Sequence, residues 1–360
     1  FLLSLCMDTT LRDFFLDGID IMGRSSMLWK VGMCGLVGFL AVAVYTGFTR
    51  LPDDSATSLH ESFEKHKSLK TSESELNLEL PDAVDFFGLE KAWQLSFAHA
   101  VNSFSSLLDS TRDSSVHMLE ADVLIGSVPD LADLHPNSNI PIMAHPPATT
   151  SDIDFSNWLS VALNKGKGIK LDIKTQDTVL PVITDLKRIS LLHLQRKNAP
   201  SYNLPPIWLN ADVVDGPRNT KVGIDGNSFV SLSKELMPSS TLSLGWGNDG
   251  SIKFEEEMLT QTMVEAMFSL CQQTLQPVTF PVRFGLVKKS WTNLKWLLDH
   301  DKERFSLTIY HCKLDDISDQ LAREVYALTK NYKVYYDLTY KTNEELFGQI
   351  QLVSEASSGK

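Results

Sequence analysis

Eight short β-rich runs, each followed by a helical stretch, set the tightest limit on how this chain can fold. The runs occupy 95–100, 116–125, 168–173, 206–213, 241–244, 278–284, 305–311 and 333–338. The helical stretches occupy 103–111, 152–164, 178–194, 226–236, 255–271, 291–300, 315–330 and 343–353. A strand, a crossover helix and a parallel strand form the unit of α/β folds, and eight such units close into a (β/α)8 TIM-type barrel. A further run at 140–144, in the long connection after the second strand, is expected to form a hairpin arm. One barrel is therefore expected over 81–355. The 360 residues of the chain leave room for it, since such barrels need about 250.

The barrel is expected to follow a membrane anchor and a stalk. Residues 31–48, VGMCGLVGFLAVAVYTGF, carry no charge and lie between Lys30 and Arg50. An uncharged run of about 18 residues reads as a transmembrane segment. Arg24 and Lys30 on one side, against Asp53 and Asp54 on the other, orient it as a signal anchor with the body extracellular or lumenal. The lipid bilayer is then a partner through 31–48, and the protein a single-pass membrane protein. The alternative is a signal peptide starting at Met27 and cut near Ala41 or Ala43, which leaves the body secreted. Residues 1–30 are expected as a short cytoplasmic leader or a product of misplaced gene boundaries. Residues 49–80 are polar and charged, and are expected as a disordered stalk.

Composition excludes several classes. A net charge of -12 and basic clusters confined to 187–197 and 288–289 leave no basic stripe for nucleic acid. Of four cysteines, Cys6 and Cys34 precede the body or lie in the apolar run, and Cys271 and Cys312 could pair or stay free. No Cys/His spacing suits zinc. Gly166-Lys167-Gly168 precedes a strand, where a phosphate loop would follow one, and no Gly-x-Ser-x-Gly elbow is present.

In a barrel of this kind, chemistry sits at the C-terminal ends of the strands. The second run, VHMLEADVLIG, carries Glu120 and Asp122 two apart, so both carboxylates point to one face. The third, GIKLDIKT, repeats the spacing with Asp172 and Lys174. His99 and Asn102 end the first run, and His145 lies in PIMAHPP at the tip of the arm. Asn210 and Asp212 come from IWLNADV, Trp246 from LSLGW and Arg283 from FPVR. Three carboxylates suit a hard cation, Mg²⁺ or Ca²⁺. Two histidines could serve as nucleophile and acid/base, and Lys174 and Arg283 could hold a phosphate, which together describe metal-assisted phosphodiester chemistry. Each group also has a plain structural reading. Glu120 and Asp122 could be a solvated edge, His145 a loop residue, Asp172 and Lys174 an ion pair, and Trp208 and Trp246 core.

In this order HAVNS, LEADVLIG, PIMAHPP, GIKLDIK, PIWLNADVVDGP, TLSLGW and TFPVR closely resemble the menorin family, over roughly 84–340. The apolar segment resembles its membrane-anchored branch. More distantly the pattern is similar to phospholipase-C-like phosphodiesterases, the glycerophosphodiester phosphodiesterases and sphingomyelinase D. That resemblance implies His99 and His145 as an acid/base pair and Glu120, Asp122 and Asp172 as ligands of Mg²⁺ or Ca²⁺. Lys174, Asn210, Trp246 and Arg283 are then expected to contact a phosphodiester or phospholipid head group. Ala100 and Pro146 stand where glycerophosphodiesterases have Arg and Asp, a departure that bears on substrate. The menorin resemblance also implies a second role, a non-catalytic cell-surface protein that partners adhesion molecules or receptors in patterning cells or neurons.

Overall fold

The computed structural model describes residues 78–129, 139–197, 203–248, 257–311 and 318–338. All belong to one compact unit, Glu75–Lys360. Eight parallel strands follow the chain in order around a nearly closed barrel: β1 (Phe97–Ala98), β2 (Met118–Gly126), β4 (Gly168–Ile173), β5 (Ile207–Val214), β6 (Thr241–Trp246), β7 (Val278–Arg283), β8 (Phe305–Tyr310) and β9 (Val334–Asp337). The arm β3 (Ile140–Met143) pairs antiparallel with β2. Helices α1 (Phe104–Arg112), α2 (Phe155–Asn164), α3 (Gln176–Lys197), α4 (Gly226–Leu236), α5 (Gln261–Cys271), α6 (Phe284–Asp299) and α7 (Asp319–Thr329) fill the crossovers. Among the described residues no hydrogen-bonded ladder joins β9 to β1. The seam is bridged by side chains, with His99 Nδ1 3.4 Å from Asp337 Oδ2.

Capping residues fix where the helices begin. The side chains of Ser103, Asp154, Asp225, Thr260 and Ser318 each accept a hydrogen bond from the backbone N–H three residues on. Each satisfies one of the orphan donors of a first turn, which contributes about 1 kcal/mol. Two elements differ from expectation. Helix α6 starts at Phe284, directly after β7, because Leu286, Val287 and Ser290 all turn a buried face to the sheet. Strand β1 is only two residues long because Ala100 takes φ 53°, a left-handed turn that ends it.

Alternation along the strands separates two interiors. Leu119, Ala121, Val123, Ile169, Leu171 and Ile173 pack outward with their counterparts on β5 to β9 against the helices, forming the main apolar core. The residues between them point into the barrel, and there the strands place Glu120 opposite Lys170, Asp122 opposite Asp172, and Asp172 opposite Asn210. The bottom of the barrel is closed by a separate apolar plug of Leu95, Met118, Trp208 and Tyr335. Gly168 makes room for it, since a Cβ there would lie 2.1 Å from Met118 Sδ. Burying each large plug side chain contributes about 1.5–3 kcal/mol.

The expected membrane anchor needs correction. Among the described residues no helix is long and apolar enough to cross a membrane. The leader at 1–30, the apolar run at 31–48 and residues 49–77 of the stalk lie outside the described residues. The anchored architecture, the single-pass placement and the bilayer as a partner all rested on that run, and no described helix supplies such a span. Leu78, inside the expected stalk, is buried against the core. The helix expected at 343–353 and Cys312 also lie outside the described residues, and Cys271 is a buried free thiol.

Candidate metal centre

Glu120, Asp122 and Asp172 each bring a carboxylate oxygen within 4.8 Å of the other two. Strand geometry accounts for this: Glu120 and Asp122 share one face of β2, and Asp172 is the register partner of Asp122 on β4. Asn102, past the end of β1, holds Asp122 from two directions. Its amide donates to Asp122 Oδ2 at 2.6 Å, and its Oδ1 accepts from the Asp122 N–H at 2.8 Å. The left-handed turn at Ala100 aims that residue's N–H at Glu120 Oε2, at 2.8 Å.

Two buried carboxylates and a half-buried third need compensating charge. Lys174 supplies part of it, with Nζ 2.7 Å from Asp122 Oδ1 and 2.5 Å from Asp172 Oδ2. Burial would lower the Lys174 pKa, but Asp172 and Asp122 outweigh it and hold the ammonium well above its ordinary value. Burial would raise Asp172, yet the charge and hydrogen bond of Lys174, together with a bond from Asn210, hold it down. Asn210 is anchored in turn by Ser243, whose hydroxyl donates to Oδ1 at 2.5 Å.

A second charged group lies beside the first. Lys170 Nζ contacts Asp337 Oδ2 at 3.2 Å, and His99 Nδ1 lies 3.3 Å from Glu120 and 3.4 Å from Asp337. Burial works against a charged His99, but Glu120 and Asp337 raise its pKa to about 9. Burial likewise opposes ionised Asp337, and Lys170 and His99 reverse the direction and keep it well below the usual carboxylate range. Burial pushes Glu120 upward, against the pull of His99 and Lys170. Lys170 and Asp337 are not among the candidates drawn from the sequence. The signal for Lys170 was present, because Lys170, Asp172 and Lys174 alternate with apolar residues and so share one face.

The other candidate residues are placed as follows. His145 follows Ala144, whose N–H donates to the Asp122 carbonyl at 3.0 Å, so the arm is tied to β2 at the acidic cluster. The His145 ring is exposed, and its Nδ1 lies 2.6 Å from the Pro146 carbonyl of its own loop. Trp246 lies in the layer between sheet and helices, its ring tilted against Phe280, with Nε1 donating to the Met263 carbonyl at 3.2 Å. Arg283 is buried at the end of β7 and lines a 20 Å³ cavity with Trp246 and Tyr310. Asp172, Lys174 and Asp212 share the wall of a 190 Å³ cavity with Lys221, Gly247 and Asn248. Asp212 is exposed there, yet the surrounding protein and the charge of Asp172 push its carboxyl up to about 7.

The donor set is three hard oxygens carrying negative charge, held within the span of a single coordination sphere. It fits a divalent cation, for which oxygen ligands are preferred. Fold and site together define a parallel α/β barrel with a buried acidic cluster at its mouth that can coordinate such an ion. Residues 91–343 match the family described as the Menorin N-terminal domain, and the chain belongs to the menorin family. It is similar to Protein FAM151B of Homo sapiens, with 35% identity over 256 residues that cover 71% of this chain and 86% of that protein.

Proposed function

We propose that this menorin-type barrel is a cation-dependent binding module, in which Glu120, Asp122 and Asp172 hold Mg²⁺ or Ca²⁺ and the loaded mouth engages a protein partner. The observation that carries this reading is the Lys174 ammonium seated between Asp122 and Asp172, at 2.7 and 2.5 Å. It marks the spot where positive charge is favoured, and its flexible stem lets it withdraw when a divalent ion arrives. Once bound, the ion would neutralise the carboxylates and fix the strand ends that carry them. Asn102 orients Asp122, Asn210 supports Asp172, and His99 balances Glu120.

Both histidines have structural contacts that a binding module accounts for. His99 lies against Glu120 and Asp337, whose charges raise its pKa, and serves as a counter-ion to the cluster in the ion-free protein. The His145 ring is engaged with its own loop carbonyl. Partners of the adhesion or receptor class are those implied by the menorin resemblance.

Calorimetric titration of the purified protein with Mg²⁺ and Ca²⁺ tests the reading, beside a panel of phosphodiesters assayed for hydrolysis. Saturable binding that is lost in Asp122→Asn and Asp172→Asn, without turnover, is expected. Failure to bind either ion overturns the metal centre. Sustained hydrolysis that disappears in His145→Ala overturns the non-catalytic part.

A further inference from the structure

A second site lies on the outer wall of the barrel, away from any carboxylate lining. Helices α2 and α3 run side by side and enclose a groove of 410 Å³. Ser156, Ser160 and Asn164 on α2 recur every fourth residue and form one wall; Arg188 and Arg196 on α3, eight apart, lie on the other with Lys197. No Asp or Glu lines the groove, although the chain as a whole carries a net charge of -12. His193, at its floor, reports the local field. Burial lowers its pKa, and Lys197 and Arg196 lower it further.

We infer that the α2–α3 groove binds a small molecule carrying several phosphate esters, of the inositol polyphosphate class, either free or as a lipid head group. The two arginines stand two turns apart, about 12 Å along the helix. That separation suits two anionic groups on one compact ligand better than a single phosphate. Guanidinium forks match phosphate oxygens two at a time, and Ser156 and Asn164 offer further polar groups opposite them, while the Ser160 hydroxyl donates to the Ser156 carbonyl at 2.8 Å. The volume falls within the range of small-molecule pockets, about 300–1,000 Å³. Arg188 also donates through Nε and Nη2 to Asp185 Oδ1, at 3.1 and 2.9 Å, so a phosphate at that end must share or displace this pair.

The test is titration of the full chain with inositol hexakisphosphate, in parallel with flotation on vesicles containing phosphatidylinositol bisphosphate or phosphatidylcholine alone. Saturable, salt-sensitive binding is expected, weakened roughly tenfold or more by Arg196→Ser. Because Arg196 is exposed, the variant should keep the parent's unfolding midpoint. Ser160→Glu, which puts a carboxylate in the groove, should abolish binding independently. Binding to the free compound alone identifies a soluble ligand, and binding to the bisphosphate vesicles as well identifies a head group. No binding of either phosphate probe, equal binding by both variants, or binding of a heparin hexasaccharide in place of the phosphate probes overturns the inference.

Discussion

The Lys174 ammonium lies 2.7 Å from Asp122 Oδ1, inside the cluster that can hold a divalent ion. Lysine and metal therefore compete for the same carboxylates. Replacing Lys174 with Met leaves like charges facing one another, and breaking a largely buried pair of this kind costs about 3 kcal/mol. In chelator, the unfolding midpoint of Lys174→Met should fall well below that of the parent. Added Mg²⁺ or Ca²⁺ should recover most of the loss, since an ion at a hundredfold its dissociation constant contributes about 2.7 kcal/mol. The parent should respond less, because its own ammonium must first be displaced. Equal metal responses in the two proteins would show that Lys174 does not occupy the ion's place.

His99 makes stability depend on pH in a defined direction. Its folded pKa of about 9 lies above the ordinary 6.5. Protonation is thus favoured in the native state, and the stabilisation it brings is complete below pH 6.5 and lost as pH rises through 9. The ring is 39% exposed, so solvent screens part of the effect. His99→Gln should flatten the stability profile across that window while leaving the acid limb unchanged. NMR titration of the ring should give a midpoint near 9, and saturation with Mg²⁺ should lower it as a second cation joins Glu120. A midpoint near 6.5 without metal would remove the argument.

Much of this architecture was legible because the barrel is built on periodicity. Glu120-Ala121-Asp122 and Asp172-Ile173-Lys174 show same-face spacing directly, and the acidic cluster follows once β2 and β4 are neighbours. What the sequence concealed depends on closure. Asp337 sits on the last strand, 217 positions after Glu120, and only the return of β9 to the seam brings it to His99 and Lys170. Trp246 had two readings in the sequence, rim contact or core. Its place after a strand suggested the rim, but β6 directs it outward with Leu242 and Leu244, into the sheet–helix layer. The early start of α6 was hidden because Arg283 at its N-cap makes no side-chain capping bond, so no Ser, Thr or Asp announced the turn.

The Lys170–Asp337 pair crosses the barrel interior, both side chains being almost wholly buried. Asp337→Asn strands the Lys170 charge and weakens the hold on His99, and should cost about 3–5 kcal/mol in urea unfolding. Adding Lys170→Met to Asp337→Asn should restore a large part of that loss, because the orphaned charge goes with it. A double-mutant cycle measures the coupling directly. Additive losses would mean that the pair contributes through packing alone.

The rim itself is held by a close approach of two loops at Gly216 and Gly247. A Cβ on residue 216 would lie 1.7 Å from the Gly247 carbonyl oxygen, and that carbonyl belongs to backbone that cannot swing aside. The crossing is locked by the Gly216 N–H donating to the Thr220 carbonyl at 2.9 Å and the Gly247 N–H donating to the Val214 carbonyl at 2.8 Å. Gly216→Ala must break one of these bonds or push the loops apart, at about 3 kcal/mol, the upper end of the usual cost of overpacking. Since Gly247 also lines the cavity beside Asp172 and Lys174, the damage should extend to the metal centre. Calorimetry on the variant should show weaker Mg²⁺ binding although no ligand has changed. Gly223→Ala lies in the same cavity wall, but its added methyl meets nothing within 4 Å, so it is the matched control for overpacking and should bind as the parent does.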